Sequence, residues 1–178
     1  MGATPGDQGA EPAGDRFELA GVARVEQLRP LWLALHRHHR HVASYGPLLA
    51  DEQASWERRR RRYQEALATG EGILAVATAA EGPVGYAFVV LHQGPDDTFG
   101  YDGDRYAELF TLSVAPQARG RGIGGRLCDL VEAELAERGV TELEVAVMAG
   151  NGDALRFYRR RGFRPSEELL RRPLTPKR

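Results

Sequence analysis

Between residues 117 and 125 the chain reads Gln117-Ala118-Arg119-Gly120-Arg121-Gly122-Ile123-Gly124-Gly125, with glycine at four of the last six positions. An extended pattern, Glu108-Leu109-Phe110-Thr111-Leu112-Ser113-Val114, precedes this segment. A helical stripe of Ile123, Leu127, Leu130, Val131 and Leu135 follows it. A strand that turns through glycines into a helix leaves free N–H groups at the positive end of the helix dipole, where an anion is favoured. Glycine lets the backbone approach a ligand closely and take turns that a Cβ forbids. Arg119 and Arg121 add positive charge to the same loop. A phosphate-bearing ligand is the physical expectation.

The rest of the chain divides around this segment. Residues 1–15 hold four glycines, two prolines and no large apolar side chain, which predicts a disordered tail ahead of one domain over residues 16–178. A short strand is expected at Phe17-Glu18-Leu19. Leu28, Leu31, Trp32, Leu35, His39 and Val42 then recur at helical spacing, with Pro30 tolerable only in the first turn. A second helix is expected from about Asp51 to Thr69, with Trp56, Tyr63 and Leu67 on one face. The period changes at Ile73–Ala77 and Val84–Leu91, two strands separated by the turn Glu81-Gly82-Pro83. Beyond the glycine helix come a strand at 143–147, a helix from Gly152 to Arg161 and an extended piece through Leu169-Leu170. The order describes a single α/β (α+β) domain.

Gly120, Gly122 and Gly125 satisfy the dinucleotide fingerprint G-x-G-x-x-G. Its context argues otherwise: five residues separate Val114 from Gly120, the strand at 145–147 runs into Met148-Ala149-Gly150-Asn151 without an acidic end, and too few residues remain for the remaining strands. A dinucleotide oxidoreductase is therefore a distant reading. Lys and Arg total 24 against 25 Asp and Glu, so no basic excess points to nucleic acid. One cysteine, Cys128, excludes an internal disulfide framework and a multi-cysteine zinc site. The apolar runs are too short to span a bilayer and the first residues lack a signal-peptide pattern, so a cytoplasmic setting is expected.

The run Val114–Gly124 resembles the Q/R-x-x-G-x-G/A loop of the GNAT superfamily of acyl-CoA N-acyltransferases. A second block, Asn151, Ala154, Phe157, Tyr158, Gly162 and Phe163, is similar to that family's N-x-x-A-x-x-F-Y-x-x-x-G-F segment, in the same order and at the right separation. The resemblance implies a mixed, mostly antiparallel sheet of about six to seven strands, splayed between 108–114 and 143–147 and flanked by about four helices. It implies acetyl-CoA as co-substrate, with the diphosphate held by Gln117, Arg119, Gly120, Arg121, Gly122, Ile123, Gly124 and Gly125. The pantetheine arm would pair with the main chain of Leu112, Ser113 and Val114 and meet Asn151, and one N–H of the strand would serve as an oxyanion donor. Tyr158 is the implied general acid, a phenol that stays protonated at neutral pH and beside the sulfur can protonate the departing thiolate. Glu108 matches a position where some relatives carry a glutamate base, while others use ordered water.

Cys128 reads as a buried small hydrophobe, so transfer is expected to be direct, within a ternary complex. The acceptor is expected to be a small-molecule or peptide amine. Asp96, Asp97, Asp102 and Asp104 in the loop 92–105 would attract a cationic amine if they served a site. His36, His38, His39 and His41 end the first helix, paired on shared faces, without a carboxylate pattern that completes a metal site. No metal is expected. Arg58 to Arg62 is an uninterrupted run on the second helix, where Arg60 shares the stripe of Trp56, Tyr63 and Leu67 and is expected to snorkel, contact with an anionic acceptor group being the lesser reading. A second basic cluster, Arg156, Arg159, Arg160, Arg161 and Arg164, reads first as a solvated face. The competing class is a CoA-binding regulatory module without turnover. A homodimer is compatible with the sequence.

Overall fold

The computed structural model describes residues 14–46, 48, 50–94 and 105–174. Residues 1–13 of the expected tail lie outside the described residues, as do Asp96, Asp97, Asp102 and Asp104.

Strands β1 (Arg16–Ala20), β2 (Gly72–Ala79), β3 (Gly82–Gln93) and β4 (Arg105–Val114) pair antiparallel in chain order. Gly82, at φ +124°, supplies the tight turn between β2 and β3. The centre of the sheet is buried on both faces, so β2 and β3 read as near-continuous apolar runs and not as alternations. A fifth strand, β5 (Leu143–Glu144), joins β4 in parallel.

A 3-10 turn at Val22–Leu28 leads into helix α1 (Arg29–Val42), with Pro30 in the first turn as its fixed φ requires. Helix α2 (Glu52–Ala68) is capped by Asp51, whose side chain accepts from the Ala54 N–H at 3.0 Å. Helices α3 (Ile123–Glu137) and α4 (Gly152–Arg160) complete the set. α1 and α2 cover one face of the sheet: the Ser113 hydroxyl donates to Leu31 O at 3.1 Å and the Tyr63 hydroxyl to Thr111 Oγ1 at 2.6 Å. α3 covers the other face, where Ile123 and Leu127 close over Gly85. Between the layers Tyr63 stacks on Phe88 with ring centroids 3.9 Å apart. Burial raises the phenols of both Tyr63 and Tyr86, so both stay protonated donors.

One irregularity decides which side chains of β4 share a face. Val89 pairs with Leu109 and Phe88 with Thr111, which leaves Phe110 as an extra residue in β4. Such a bulge turns two successive side chains toward one face and increases the local twist. Phe110 and Thr111 accordingly both meet α2, through Arg59 and Tyr63.

The expected sheet of six to seven strands is corrected to five among the described residues. The expected strand at 143–147 keeps its pairing only at Leu143 and Glu144, opposite Ala107 and Glu108. Past Glu108 the bulge twists β4 away and the parallel partner does not follow. The expected last extended piece forms no strand, and Leu169, Leu170 and Leu174 remain exposed because they reach no partner on the sheet.

Candidate active site

Among the described residues β4 pairs only with β3 from Leu109 onward, which leaves its other edge open along the stretch that contains Leu112, Ser113 and Val114. The Ser113 side chain is buried under α1, whereas Leu112 and Val114 are half-buried. What this stretch offers the gap is therefore main chain, the kind of edge an extended ligand can join.

At the end of β4 the chain makes a 3-10 turn, Pro116–Ala118, and passes through Arg119, Gly120 and Arg121 to the start of α3. Gly120 and Gly122 both hold φ +77°, and a Cβ at either would meet no atom within 4 Å. The conformation and the open space above it are what a close backbone approach to a ligand requires. α2 and α4 receive side-chain caps from Asp51 and Asn151, but α3 has none. The first helical bond runs from Arg126 N–H to Gly122 O, so Ile123, Gly124 and Gly125 point N–H groups outward without intrahelical acceptors. Ile123 is itself buried at the head of the core stripe. Gln117 and Arg119 are exposed, and Arg119 turns back to donate from Nε to Val114 O at 3.4 Å. Arg121 forms a two-pronged pair with Asp15 at 2.7 and 2.8 Å, so part of the loop's charge is balanced from the N-terminal side.

α4 is strapped to α3 beside this loop. Phe157 lies under Gly124, and Arg161 bridges to Asp129 and Glu132 at 2.7 Å each. Asn151 is nearly buried and accepts from the Ala154 N–H at 3.2 Å, which fixes the helix start. Tyr158 is 7% exposed between Phe157 and Phe163, with edge-to-face centroid distances of 5.2 and 5.4 Å. Burial pushes its phenol well above the ordinary tyrosine range. The neighbouring Cys128 thiol is pushed up to about 11 by burial, so near neutral pH it stays a thiol.

Glu108 sits at the last position where β4 and β5 pair. His92 Nε2 lies 3.3 Å from Glu108 Oε2, and the His92 ring stacks on Tyr106 at 4.8 Å. Cross-strand neighbours thus orient the carboxylate, a role for His92 that the sequence alone did not signal.

On the α1–α2 face the histidines separate. His36 is buried, stacked on Trp32 at 6.0 Å, with Nδ1 3.4 Å from the Ser55 hydroxyl. Among the described residues no group of three His, Cys, Asp or Glu is arranged to hold a metal. His39 is pushed down to about 4, first by burial and then by His38, Arg59 and His36. In the unfolded chain it takes a proton near 6.5, so between about pH 4 and 6.5 the unfolded state binds more protons and stability rises with pH. Lowering the pH from 7 to 5 is expected to remove about 1–2 kcal/mol of stability through this group. Urea unfolding of wild type and His39→Gln checks this: the variant flattens the dependence, and an unchanged slope refutes the assignment.

The arginine run also divides by face. Arg60, the residue singled out from the sequence, turns outward to Glu26 at 3.0 Å. Arg59 and Arg62 instead stack on Phe110, at 4.0 and 4.1 Å from its centroid. In the second cluster Arg156 pairs with Asp153 and Arg161 with α3, while Arg159 and Arg160 are exposed.

Residues 26–163 match the model of the acetyltransferase (GNAT) family. Over 62 residues the chain is 37% identical to mycothiol acetyltransferase of Corynebacterium urealyticum, covering 35% of this chain and 18% of that protein. A second mycothiol acetyltransferase, from Cellulomonas flavigena, is 32% identical over 80 residues, 45% of this chain and 23% of that one. The chain thus spans less than a quarter of the curated relatives it matches. In structure it is similar to a GCN5-related N-acetyltransferase of Ralstonia eutropha, with TM-score 0.73, 22% identity, and 90% and 99% of the two chains covered. It is also similar to a predicted acetyltransferase of Clostridium acetobutylicum solved with acetyl-CoA, with TM-score 0.67, 16% identity, and 90% and 96% covered. At these identities the two structures speak for the fold. No helix among the described residues is long and apolar enough to cross a membrane.

Proposed function

Because the chain belongs to the GNAT family of acetyltransferases, we propose that it transfers the acetyl group of acetyl-CoA directly to an amine, within one ternary complex. The observation that carries this reading is the uncapped start of α3, built on two left-handed glycines, beside the open edge of β4. The N–H groups that Ile123, Gly124 and Gly125 leave without intrahelical acceptors suit a diphosphate, with Gln117, Arg119 and Arg121 around it. The main chain of Leu112, Ser113 and Val114 suits the amides of the pantetheine arm, and Asn151, at the start of α4, is a second candidate partner for it.

Bound acetyl-CoA supplies the acyl group and the thiolate that leaves. The chain's own residues manage the protons and the charge. Glu108, oriented by His92, takes the proton from the amine as its nitrogen bonds to the acyl carbon. Tyr158 gives its hydroxyl proton to the sulfur as the carbon–sulfur bond breaks. A main-chain N–H at the open edge of β4 steadies the charge on the carbonyl oxygen. The un-ionised Cys128 supports direct transfer over an acyl-enzyme.

Thiol release from acetyl-CoA across an amine and peptide panel tests the reaction, with CoA binding measured alongside. Binding without thiol release from any amine would leave a CoA-binding module instead. Gly122→Val is expected to weaken acetyl-CoA binding at least about tenfold, since a branched side chain at φ +77° is strained and fills the approach to the diphosphate. Unchanged affinity would remove the loop from the cofactor site. Glu108→Gln is expected to abolish the acidic limb of the pH–rate profile, and an unaltered limb would transfer the base role to water.

A further inference from the structure

Between α1, α2 and the bulge of β4 lies a cavity of about 240 Å³, lined by Trp32, Ser55, Arg58, Arg59, Arg62 and Phe110. Its chemistry is not that of a site for a polycation. The Arg59 guanidinium lies between two rings, 4.1 Å from the Trp32 centroid and 4.0 Å from that of Phe110. One of its N–H groups donates to Thr111 Oγ1 at 3.3 Å, and Thr111 is held in turn by Tyr63. Held against both rings and bonded to Thr111, Arg59 is fixed in place while still lining the cavity. Arg62 stacks on Phe110 from the same helix, and Arg58 stands one turn before Arg62.

These three guanidinium groups have no ion pair among the described residues, although basic neighbours do: Arg60 pairs with Glu26 and Arg37 with Glu52. Arg58 and Arg62 are exposed and Arg59 is half-buried, so the mouth of the cavity presents positive charge that raises the local concentration of an anion. A guanidinium fixed by stacking loses little freedom on binding a carboxylate and meets it with two parallel hydrogen bonds.

We propose that this cavity is the acceptor's anion subsite, and that the acceptor is an amine bearing its own carboxylate a few bonds from the nitrogen, an amino acid or a close analogue. This rests on the reading of β4 as the strand that carries the cofactor arm. Phe110 precedes Leu112 by two residues, about 7 Å along a strand. A carboxylate gripped by Arg59 and Arg62 therefore leaves an amine a few bonds away within reach of that edge. Arg60, the lesser candidate for an anion contact from the sequence, pairs with Glu26, and Arg59 and Arg62 line the cavity instead. Within the expected class of small-molecule or peptide amines, this narrows the acceptor to one carrying both charges.

The test uses matched sets of an amino acid, its carboxamide and its decarboxylated amine, with phosphoethanolamine and an aminoglycoside as further arms. Thiol release is expected to give a kcat/KM for the acid at least tenfold above the amide and the plain amine, and Arg62→Ala or Arg59→Gln is expected to bring that ratio below about threefold. Equal rates for acid and amide, or an aminoglycoside preferred and indifferent to both variants, overturns the proposal. Preference for phosphoethanolamine over every acid would reassign the oxyanion to a phosphate and overturn the carboxylate assignment. A second arm titrates each N-acetylated acid and its N-acetylated amide against the protein and follows tryptophan fluorescence. There the acid is expected to bind at least tenfold tighter, and Arg62→Ala to erase the difference while circular dichroism shows the fold intact. This arm needs no turnover: an enzyme silent toward every amine would overturn the acetyltransferase reading, while equal binding of acid and amide would overturn the subsite alone.

Discussion

Tyr158→Phe lowers kcat by about 10²–10³-fold and leaves acetyl-CoA affinity within about threefold of wild type: this is the expected result if the hydroxyl protonates the departing sulfur. Phenylalanine keeps the ring between Phe157 and Phe163, so the packing that holds α4 survives and the loss falls on the proton. Burial moves the phenol well above its ordinary range, and therefore its proton is retained throughout the neutral and mildly alkaline range. Turnover should accordingly show no alkaline limb from this group below about pH 10. Pre-steady-state thiol release separates chemistry from product departure. Full activity in the variant would leave Tyr158 a packing residue, and a Tyr158-dependent limb near pH 8 would contradict the burial argument.

Gly150→Ala is expected to cost about 2–4 kcal/mol, a larger effect than its single methyl implies. A Cβ there would be driven into the carbonyl oxygen of Val42 and lie 3.1 Å from its carbonyl carbon. Both atoms are backbone at the end of α1, so no side chain can swing aside. The end of α1 and the loop that leads to Asn151 and α4 must then separate. The melting temperature should fall by about 10 °C. Gly124→Ala is the control, because its Cβ would meet Phe157 at 3.7 Å and Val114 at 3.8 Å, ordinary contacts. Equal melting of the two variants would refute the close approach.

What the sequence made legible was local. Helical spacing found α1 through Leu31, Trp32 and Leu35, and Pro30 stands in the first turn where its geometry permits. Glycines marked the turn into α3, where Gly120 and Gly122 take left-handed backbone, because their conformational role does not depend on distant residues. What escaped was set by tertiary contacts. The bulge at Phe110 carries no glycine or other local mark, yet it decides which side chains share a face. That Arg59 meets Trp32 while Arg60 meets Glu26 is set by the rotation of α2 against α1, which one helix's periodicity leaves undetermined to within a residue. Arg121 meets Asp15, 106 positions away, and Gly150 meets Val42, contacts no spacing rule reaches. The strand after Glu144 was over-extended because Val145 and Val147 are apolar enough to pair, while the twist of β4 denies them a partner.

The bulge bears on how a chain of this fold can diversify. β4 presents main chain to the gap along one edge and two adjacent side chains, Phe110 and Thr111, to α2 across one face. Main-chain chemistry is insensitive to which residues occupy the strand, whereas the cavity wall is side chain throughout. On the proposed reading of the two sites, substitutions at positions 58, 59 and 62 re-tune which acceptor is recognised while the donor grip is inherited unchanged. One strand serves as the hinge between a constant function and a variable one.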